Sequence, residues 1–324
     1  MTTLTLPTAS ELAAFSLAAQ HPLTRTWVDD AARLAHLAEE HAFDLQLATD
    51  LDLAARRAEF LNVGQPPEAF LSRWVEAQPG LSAMLSIRFE RLDREKPFVD
   101  VSVTSRPVEP GDLLALKEAA WSAFGAFQPP RLRIWSAAPL DGWPAQLPGA
   151  RPDWRVLAAP LTELRGGEVP AGLTLAPTGD LTHHTEAVAA YAAVDAAHPN
   201  HARQARVLDE ADLQEVIEAG TMFDVLWQGQ WSGYVGALVK TRLGLPAYEV
   251  QELLLAPQAR GQGLGPHLST LLARALPGEG RVLLGTIHGE NLGARRAGLK
   301  AGRHDVGGWT WVPLTTSQGT VTST

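Results

Sequence analysis

The chain of 324 residues is 45% hydrophobic and 19% charged, carries a formal net charge of −9 and contains no cysteine. This composition is typical of a folded protein of two domains, and it excludes disulfides, thiolate metal sites and a cysteine nucleophile. No basic cluster is present, which argues against nucleic acid or a membrane as a partner. The N-terminus lacks a signal-peptide pattern and no apolar run reaches the ~18 residues that span a bilayer, so we expect a soluble cytoplasmic protein.

Apolar periodicity divides the first half of the chain into helices followed by strands. Helical spacing predicts helices over 10–19, 29–43, 50–61 and 68–77. Alternation of apolar and polar residues predicts a hairpin, then a helix and two more strands, over 83–90, 98–104, 111–124, 131–135 and 154–159. The segment 165–170, which contains Gly and Pro, is predicted to link two domains.

The second half is predicted to be one mixed domain with the element order β-α-α-β-β-β-α-β-α-β. Its elements are predicted over 173–176, 180–196, 209–219, 222–227, 231–241, 248–255, 265–275, 282–287, 291–301 and 306–312. The first half, from its hairpin onward, reads β-β-α-β-β and matches the later part of this order. The match predicts a divergent duplication, although the halves share no repeat that can be aligned.

The most informative segment is Arg260-Gly-Gln-Gly-Leu-Gly265, which joins a predicted strand to a predicted helix. Its three glycines allow the backbone to approach a ligand closely, and they present N–H groups beside a helix N-terminus. Pro266 in the first helical turn gives up an N–H that would lack a partner in any case. Arg260 adds a guanidinium whose two-pronged geometry suits phosphate, so the segment predicts an anion site.

Two other phosphate-binding motifs do not fit this segment. A dinucleotide-binding G-x-G-x-x-G that begins at Gly261 requires glycine at the position of Pro266. A G-x-x-x-x-G-K-S/T loop requires a lysine that is absent here. The remaining alternative is a glycine-rich helix start that binds no ligand.

The segment Arg260–Gly265 resembles the R/Q-x-x-G-x-G/A signature of GNAT acetyltransferases, which holds the pyrophosphate of coenzyme A. The preceding Leu253-Leu-Leu-Ala-Pro257 is similar to the family's fourth strand, which splays from the fifth and leaves backbone groups for the pantetheine arm. Downstream, Asn291-Leu-Gly-Ala294 resembles the start of the helix after strand five, and Lys300 and Gly302 fit its end. The resemblance covers about residues 171–314.

The resemblance implies an α/β (mixed α+β) fold of two tandem GNAT-like domains, each a central mixed sheet flanked by helices. Residues 1–165 would form a degenerate GNAT-like domain without a coenzyme A loop, 166–316 a GNAT N-acyltransferase domain, and 317–324 a disordered tail. In the first half, the equivalent loop Ser105–Asp112 places Glu109 and Asp112 at a helix start, where carboxylates oppose an anion.

The resemblance implies transfer of an acetyl or other short acyl group from acetyl-CoA to a primary amine by direct attack. The acceptor would be a small molecule, and a homodimer is left open. The implied coenzyme A contacts are Leu254, Leu255, Ala256, Arg260, Gly261, Gln262, Gly263, Leu264, Gly265 and Asn291. No metal is expected, because the histidines at 183, 184, 198 and 201 fit no ligand spacing.

Glu252 and His288 are the main catalytic candidates. Glu252, on the strand before the glycine loop, is at a position where the family commonly places the base that deprotonates the amine; a solvent-facing strand-edge glutamate is the alternative. Glu249 is a weaker candidate for the same role. His288, at the end of strand five, is predicted near the thioester, with an incidental loop histidine as the alternative.

Two departures from the family pattern leave the activity open. Gly298 stands where the family often has the tyrosine that protonates the departing thiolate, and Arg303 replaces the usual aromatic residue. Either solvent, Tyr234 or His288 supplies the proton, or catalysis is weak, or the domain only binds. The alternative function is therefore a non-catalytic acyl-CoA sensor or scaffold, and a relative that uses aminoacyl or fatty-acyl donors is a third interpretation.

Overall fold

This computed structural model describes residues 4–198, 200–278 and 280–314, which form nine α-helices and eleven strands. The helices are α1 (Ala9–Ala18), α2 (Asp30–Thr49), α3 (Leu51–Leu61), α4 (Leu113–Phe124), α5 (Leu161–Arg165), α6 (His184–Ala197), α7 (Glu210–Glu218), α8 (Gly265–Ala275) and α9 (Leu292–Lys300). The strands are β1 (Arg73–Gln78), β2 (Leu81–Phe89), β3 (Pro97–Thr104), β4 (Arg131–Ser136), β5 (Arg151–Pro160), β6 (Leu173–Pro177), β7 (Met222–Trp227), β8 (Gln230–Arg242), β9 (Leu245–Leu255), β10 (Val282–His288) and β11 (His304–Pro313). The predicted tail, 317–324, lies outside the described residues.

Polar side chains fix where several helices begin. Thr8 and Glu11 form a reciprocal capping box at the start of α1. Asp209 accepts a hydrogen bond from the amide of Asp212 and caps α7, as its place in the sequence predicts. These caps satisfy amides that have no partner within the first helical turn.

Contacts between residues divide the chain into two units. Of the described residues, unit 1 contains 4–25, 29–153 and 307–314, whereas unit 2 contains 26–28, 154–198, 200–278 and 280–306. The linear boundary expected at 165/166 does not coincide with this division. The reason is strand pairing: residues 154–160 of β5 pair with β10, and residues 308–313 of β11 pair with β4.

In unit 1, the strands follow the order β1-β2-β3-β4-β11. The pair β3 and β4 is parallel and is joined through α4, whereas the other neighbouring strands are antiparallel. Helix α4 buries Leu116 and Ala120 against Leu85, Val99 and Ile134 of the sheet. This packing forms the core of unit 1.

In unit 2, the strands follow the order β5-β10-β9-β8-β7-β6, and β9 and β10 are the parallel pair. Helices α6 and α7 cover one face, where Ala187 and Val216 pack against Tyr234. Helix α8 covers the other face, where Leu268 packs against Val235. Adjacent residues of β8 thus point to opposite layers, as the pleat of a strand requires.

The two units share one connection pattern: an antiparallel pair of strands, a third strand, a helical crossover to a parallel strand, and an antiparallel closing strand. The predicted mixed α/β fold with a helix-flanked mixed sheet in each half is therefore confirmed. In unit 1 the closing strand is β11, from residues 304–313, so the two units do not correspond to the two halves predicted from the sequence.

Two predicted elements are wrong. The helix predicted over 68–77 is a short 3₁₀ turn followed by β1, because Trp74 pairs with Met84 of β2 and Val75 is fully buried in the sheet. The segment 165–170, predicted to link two domains, instead lies within unit 2, which contains 154–306. Arg165 at the end of α5 donates hydrogen bonds to the carbonyls of Ala273 and Leu276, and so ties this segment to α8.

Within the described ranges, no helix is long and apolar enough to cross a membrane. Over the same ranges, no group of three or more His, Asp or Glu side chains is arranged to hold a metal ion.

Candidate active site

Strands β9 and β10 run side by side only at the start of their parallel pairing. The register joins Ala247 through Glu249 with Val282 through Leu284, and the pairing goes no further. Beyond it, β9 continues to Leu255 along β8, while β10 continues along β5. The two strands therefore diverge and leave an edge of β9 without a strand partner in the described part of the chain, as the resemblance implies.

A β-bulge determines the direction of Glu252. The register joins Ala237 to Val250 and Gly236 to Glu252, so that Gln251 is an extra residue on β9. As a result, Val250 and Leu253 both pack on the α8 side of the sheet, whereas Glu252 lies on the side of α6 and α7. Without the bulge, Glu252 would share the face of Val250.

The carboxyl group of Glu252 is buried beneath α6. Its side chain is 3% exposed, and its Oε1 accepts a hydrogen bond of 2.7 Å from the hydroxyl of Tyr191. No described residue hydrogen-bonds to Oε2. Burial raises the pKa of Glu252 to about 7, although the Tyr191 hydroxyl acts in the opposite direction. The solvent-facing alternative is thereby excluded, whereas the role of Glu252 as a base stays a prediction.

Sequence reasoning did not find Tyr191. This residue follows the fully buried Ala187 by one helical turn of α6 and lies beside Ala190, on the stripe that faces the sheet. A tyrosine on such a stripe was the available signal. Burial and the Glu252 carboxylate raise the Tyr191 pKa well above its usual value, which keeps the hydroxyl protonated as a donor. Its ring lies 5.9 Å from that of His201.

The glycine loop presents backbone amides beside the start of α8. Gly261 and Gly263 adopt φ values of 74° and 76°, which residues with a β-carbon rarely adopt. A β-carbon at either position would meet nothing within 4 Å, so conformation, not crowding within the chain, requires glycine there. No described residue accepts a hydrogen bond from the amides of 261–264. This row of amides and the helix N-terminus form an arrangement suited to an anion.

The guanidinium of Arg260 is directed into the fold. Its Nε donates to the carbonyl of Leu255 at 2.7 Å, and its Nη2 donates to the carbonyl of Ala190 at 3.2 Å. Arg260 therefore fixes the glycine loop to the end of β9 and to α6. Burial lowers its pKa from the usual value. Contact of this side chain with a phosphate stays a prediction.

The other predicted coenzyme A contacts have structural partners within unit 2. Leu254 is buried under α6 and α7, and the amide of Ala256 donates to the carbonyl of Ser232. Gln262 donates to the carbonyl of Gln258. Leu264 is buried in the core beneath α8, and a β-carbon on Gly265 would lie 3.5 Å from that of Ala297. Leu264 and Gly265 therefore belong to the packing around α8.

Asn291 and His288 lie around the turn between β10 and α9. Asn291 caps α9, since its side chain accepts a hydrogen bond from the amide of Ala294. His288 accepts a hydrogen bond from the amide of Glu290 through Nδ1, and its ring meets Trp154 edge to face. His288 and Glu252 stand on the two diverging strands, four and three residues past the last paired positions, Leu284 and Glu249.

Gly298 and Arg303, the two departures from the family pattern, lie next to each other. A β-carbon on Gly298 would lie 2.9 Å from Nη2 of Arg303 and 2.8 Å from the side chain of Leu157. Glycine at 298 therefore makes room for the guanidinium. Tyr234, another candidate proton donor, lies on the other face of the sheet from Arg303. It is buried among the residues that pack under α6 and α7.

In unit 1, a carboxylate of the chain occupies the corresponding helix start. Asp112 precedes α4 and accepts hydrogen bonds from both Nη atoms of Arg106, at 2.7 and 2.8 Å. It also accepts from the amide of Glu109 and the side chain of Gln78. The hydrogen bonds from Arg106 hold the pKa of Asp112 below its usual range. Donors that could bind an external anion are thus engaged by Asp112.

A scan against protein-family models and a search of curated proteins each returned no match. Among solved structures, the chain is similar to an acetyltransferase of the GNAT family from Colwellia psychrerythraea, at 12% identity and a TM-score of 0.44, over 80% of this chain and 94% of that one. It is similar to a GCN5-related N-acetyltransferase from Sphaerobacter thermophilus, at 17% identity and a TM-score of 0.44, over 84% and 94% of the two chains. It is also similar to a tandem GNAT protein from the clavulanic acid biosynthesis pathway, at 16% identity and a TM-score of 0.39, over 85% and 96%.

These likenesses are distant, and we draw no functional conclusion from them.

Proposed function

We propose that unit 2 is an acyltransferase that transfers an acetyl or other short acyl group from a coenzyme A thioester to a primary amine of a small molecule. The observation that carries the proposal is the position of Glu252. A buried carboxyl group with a pKa of about 7 lies on the strand that diverges from its parallel neighbour and leads into the glycine loop. A base, a free strand edge and an anion site are thereby adjacent along one stretch of β9.

The donor would lie along this stretch. The pantetheine arm consists of amides, which can hydrogen-bond to the edge of β9 between Val250 and Leu255 in place of a strand. The pyrophosphate would meet the amides of 261–264 and the N-terminus of α8, whose partial positive charge favours an anion. Arg260 supports this loop from behind through the carbonyls of Leu255 and Ala190.

In the proposed reaction, the amine nitrogen attacks the thioester carbonyl. A C–N bond forms, the C–S bond breaks, and the thiolate leaves with the electron pair. Glu252 accepts the proton that the amine loses, directly or through a water molecule. Burial raises the pKa of Glu252 to about 7, so its carboxylate can accept a proton near neutral pH. Direct attack fits a chain that has no cysteine to form an acyl-enzyme.

The second candidate is a module that binds acyl-CoA without turnover, either as a sensor or as a scaffold. Gly298 favours it, because the position that would hold a tyrosine proton donor carries no side chain. Both candidates require coenzyme A to bind, and they differ in whether thiol is released. We further propose that unit 1 is a degenerate copy that binds no coenzyme A, since Asp112 engages the donors at its helix start.

The test is the release of thiol from acetyl-CoA with a panel of primary amines, beside a calorimetric titration with acetyl-CoA. We expect amine-dependent release by the wild type and a loss of about 100-fold or more in Glu252→Gln. Glu249→Gln is the matched control on the same strand, because the Glu249 carboxylate is engaged in an ion pair with Arg242. Binding without release would support the second candidate, and a covalent acyl-enzyme would contradict direct attack.

A further inference from the structure

A buried guanidinium in unit 2 has no acidic partner among the residues that the structure describes. Arg303, between α9 and β11, is 3% exposed, and no hydrogen-bond acceptor among the described residues meets its Nε or Nη1. The nearest acidic residue along the chain, Asp305, pairs with Arg155 at 2.6 Å and with Arg295 at 3.4 Å. Burial lowers the Arg303 pKa to about 10, so the group is still a cation at neutral pH.

Two glycines place this cation where β9 and β10 diverge. Gly285 is the first residue of β10 past the paired segment, and a β-carbon there would lie 3.0 Å from Nη1 of Arg303 and 3.1 Å from the β-carbon of Val250. Gly298 of α9 would meet the same guanidinium at 2.9 Å. The positive charge therefore lies at the start of the gap between the strands, and any longer side chain at 285 or 298 would displace it.

Burial of an unpaired charge is costly, and a fold tolerates it where an anion completes the pair. An anion forms at this place in the proposed reaction, because the thioester sulfur acquires a negative charge as the C–S bond breaks. We propose that the Arg303 guanidinium contacts the sulfur of the acyl donor and stabilises the thiolate as it leaves, an inference that rests on the proposed function. Gly298, which stands where the family often has a tyrosine, then makes room for Arg303.

The step balances without any added reactant. The amine forms the C–N bond and gives its proton to Glu252, and the sulfur leaves with the electron pair of the C–S bond. Arg303 keeps its own protons and donates hydrogen bonds to the thiolate, which takes a proton from solvent on release. The proposed contribution is electrostatic and is larger for the transition state than for the neutral thioester.

The test is the pKa of the coenzyme A thiol when it is bound to the full chain, followed through the absorbance of the thiolate. Because the chain has no cysteine, the protein contributes no thiolate absorbance of its own. The same protein with desulfo-coenzyme A supplies the blank. We expect the wild type to lower the thiol pKa by about one unit or more relative to free coenzyme A. Arg303→Met should abolish that shift, whereas Arg296→Met, which removes the same charge from an exposed position of α9, should preserve it. If Arg303→Met does not fold, Gly298→Ala is used, because its β-carbon displaces the guanidinium.

Each outcome bears on the inference. Equal thiol pKa values for bound and free coenzyme A would overturn it and leave the proposed function standing. Absence of coenzyme A binding by the wild type would overturn both. Weaker binding of succinyl-CoA but not of acetyl-CoA by Arg303→Met would also overturn it, since the arginine would then recognise a carboxylate on the acyl group. In turnover, a fall of at least tenfold in the kcat of Arg303→Met with little change in KM would support the inference. The fall in kcat should be smaller when the acyl donor is a nitrothiophenyl ester.

Discussion

The hydroxyl of Tyr191 donates a 2.7 Å hydrogen bond to Oε1 of Glu252, so the carboxyl group on the diverging part of β9 is held beneath α6. This contact links the helix that covers the sheet to the strand that leads into the glycine loop. It also acts against burial, which raises the Glu252 pKa.

Removal of that hydrogen bond should shift the pH dependence of the reaction. In Tyr191→Phe, burial acts without the opposing donor, so the Glu252 pKa should rise above about 7 and the rate should reach its plateau at higher pH. The stability should fall by about 1 kcal/mol. The pH–rate profiles of variant and wild type are the measurement, and superimposable profiles would show that Tyr191 does not act on the base.

Replacement of Glu252 should change how stability depends on pH. A folded-state pKa of about 7 lies above the ordinary 4.5, so the native protein binds the proton more tightly and loses stability as pH rises between these values. Over this range the loss is about 3 kcal/mol for Glu252 alone. Glu252→Gln should lack this loss in urea titrations from about pH 4 to about pH 8. An equal slope in variant and wild type would contradict the raised pKa.

The glycine loop offers a direct test of the anion site. Gly263→Val imposes a β-branched side chain on a left-handed backbone, which displaces the amides that would hold the pyrophosphate. Calorimetry should show coenzyme A affinity reduced at least tenfold while unfolding stays cooperative. Gly111→Val, at the corresponding helix start of unit 1, is the control and should leave the affinity unchanged. Wild-type affinity in Gly263→Val would remove the loop from the site.

In unit 1, Asp112→Asn should affect stability and not ligand binding. The change removes the charge that pairs with Arg106, and because Arg106 is partly exposed the loss should be about 1 kcal/mol. The lowered pKa of Asp112 contributes stability above its ordinary range, and this contribution disappears as pH falls through the folded value. The variant should therefore lack part of the acid sensitivity of the wild type. Coenzyme A binding gained by this variant would show that unit 1 retains a site.

The sequence predicted what local pattern and loop chemistry determine. The strand, glycine loop and helix around Arg260–Gly265 are where expected, and so is the divergence of β9 from β10. Glu252 was singled out from its place before the loop. Its burial could not be predicted, because it depends on the extra residue Gln251 in a bulge and on Tyr191, which is far away in the sequence.

Long-range pairing accounts for what the sequence did not predict. Residues 68–77 have helical spacing, yet β1 forms there because Trp74 finds a partner in β2. The pairing of β5 with β10 and of β11 with β4 joins segments more than 100 residues apart, which local periodicity does not encode. In the sequence, Arg303 is a departure from the family motif. In the structure, Gly285 and Gly298 leave the space that its guanidinium occupies.

The most direct test of the central claim is the amine-dependent release of thiol from acetyl-CoA, followed across pH for the wild type and for Glu252→Gln. We expect release that requires the amine and a wild-type rate that rises about tenfold per pH unit below about pH 7 and then levels. The Glu252→Gln rate should be about 100-fold lower and should lack that inflection. Absence of amine-dependent release, or an identical rate and pH dependence in Glu252→Gln, would contradict it.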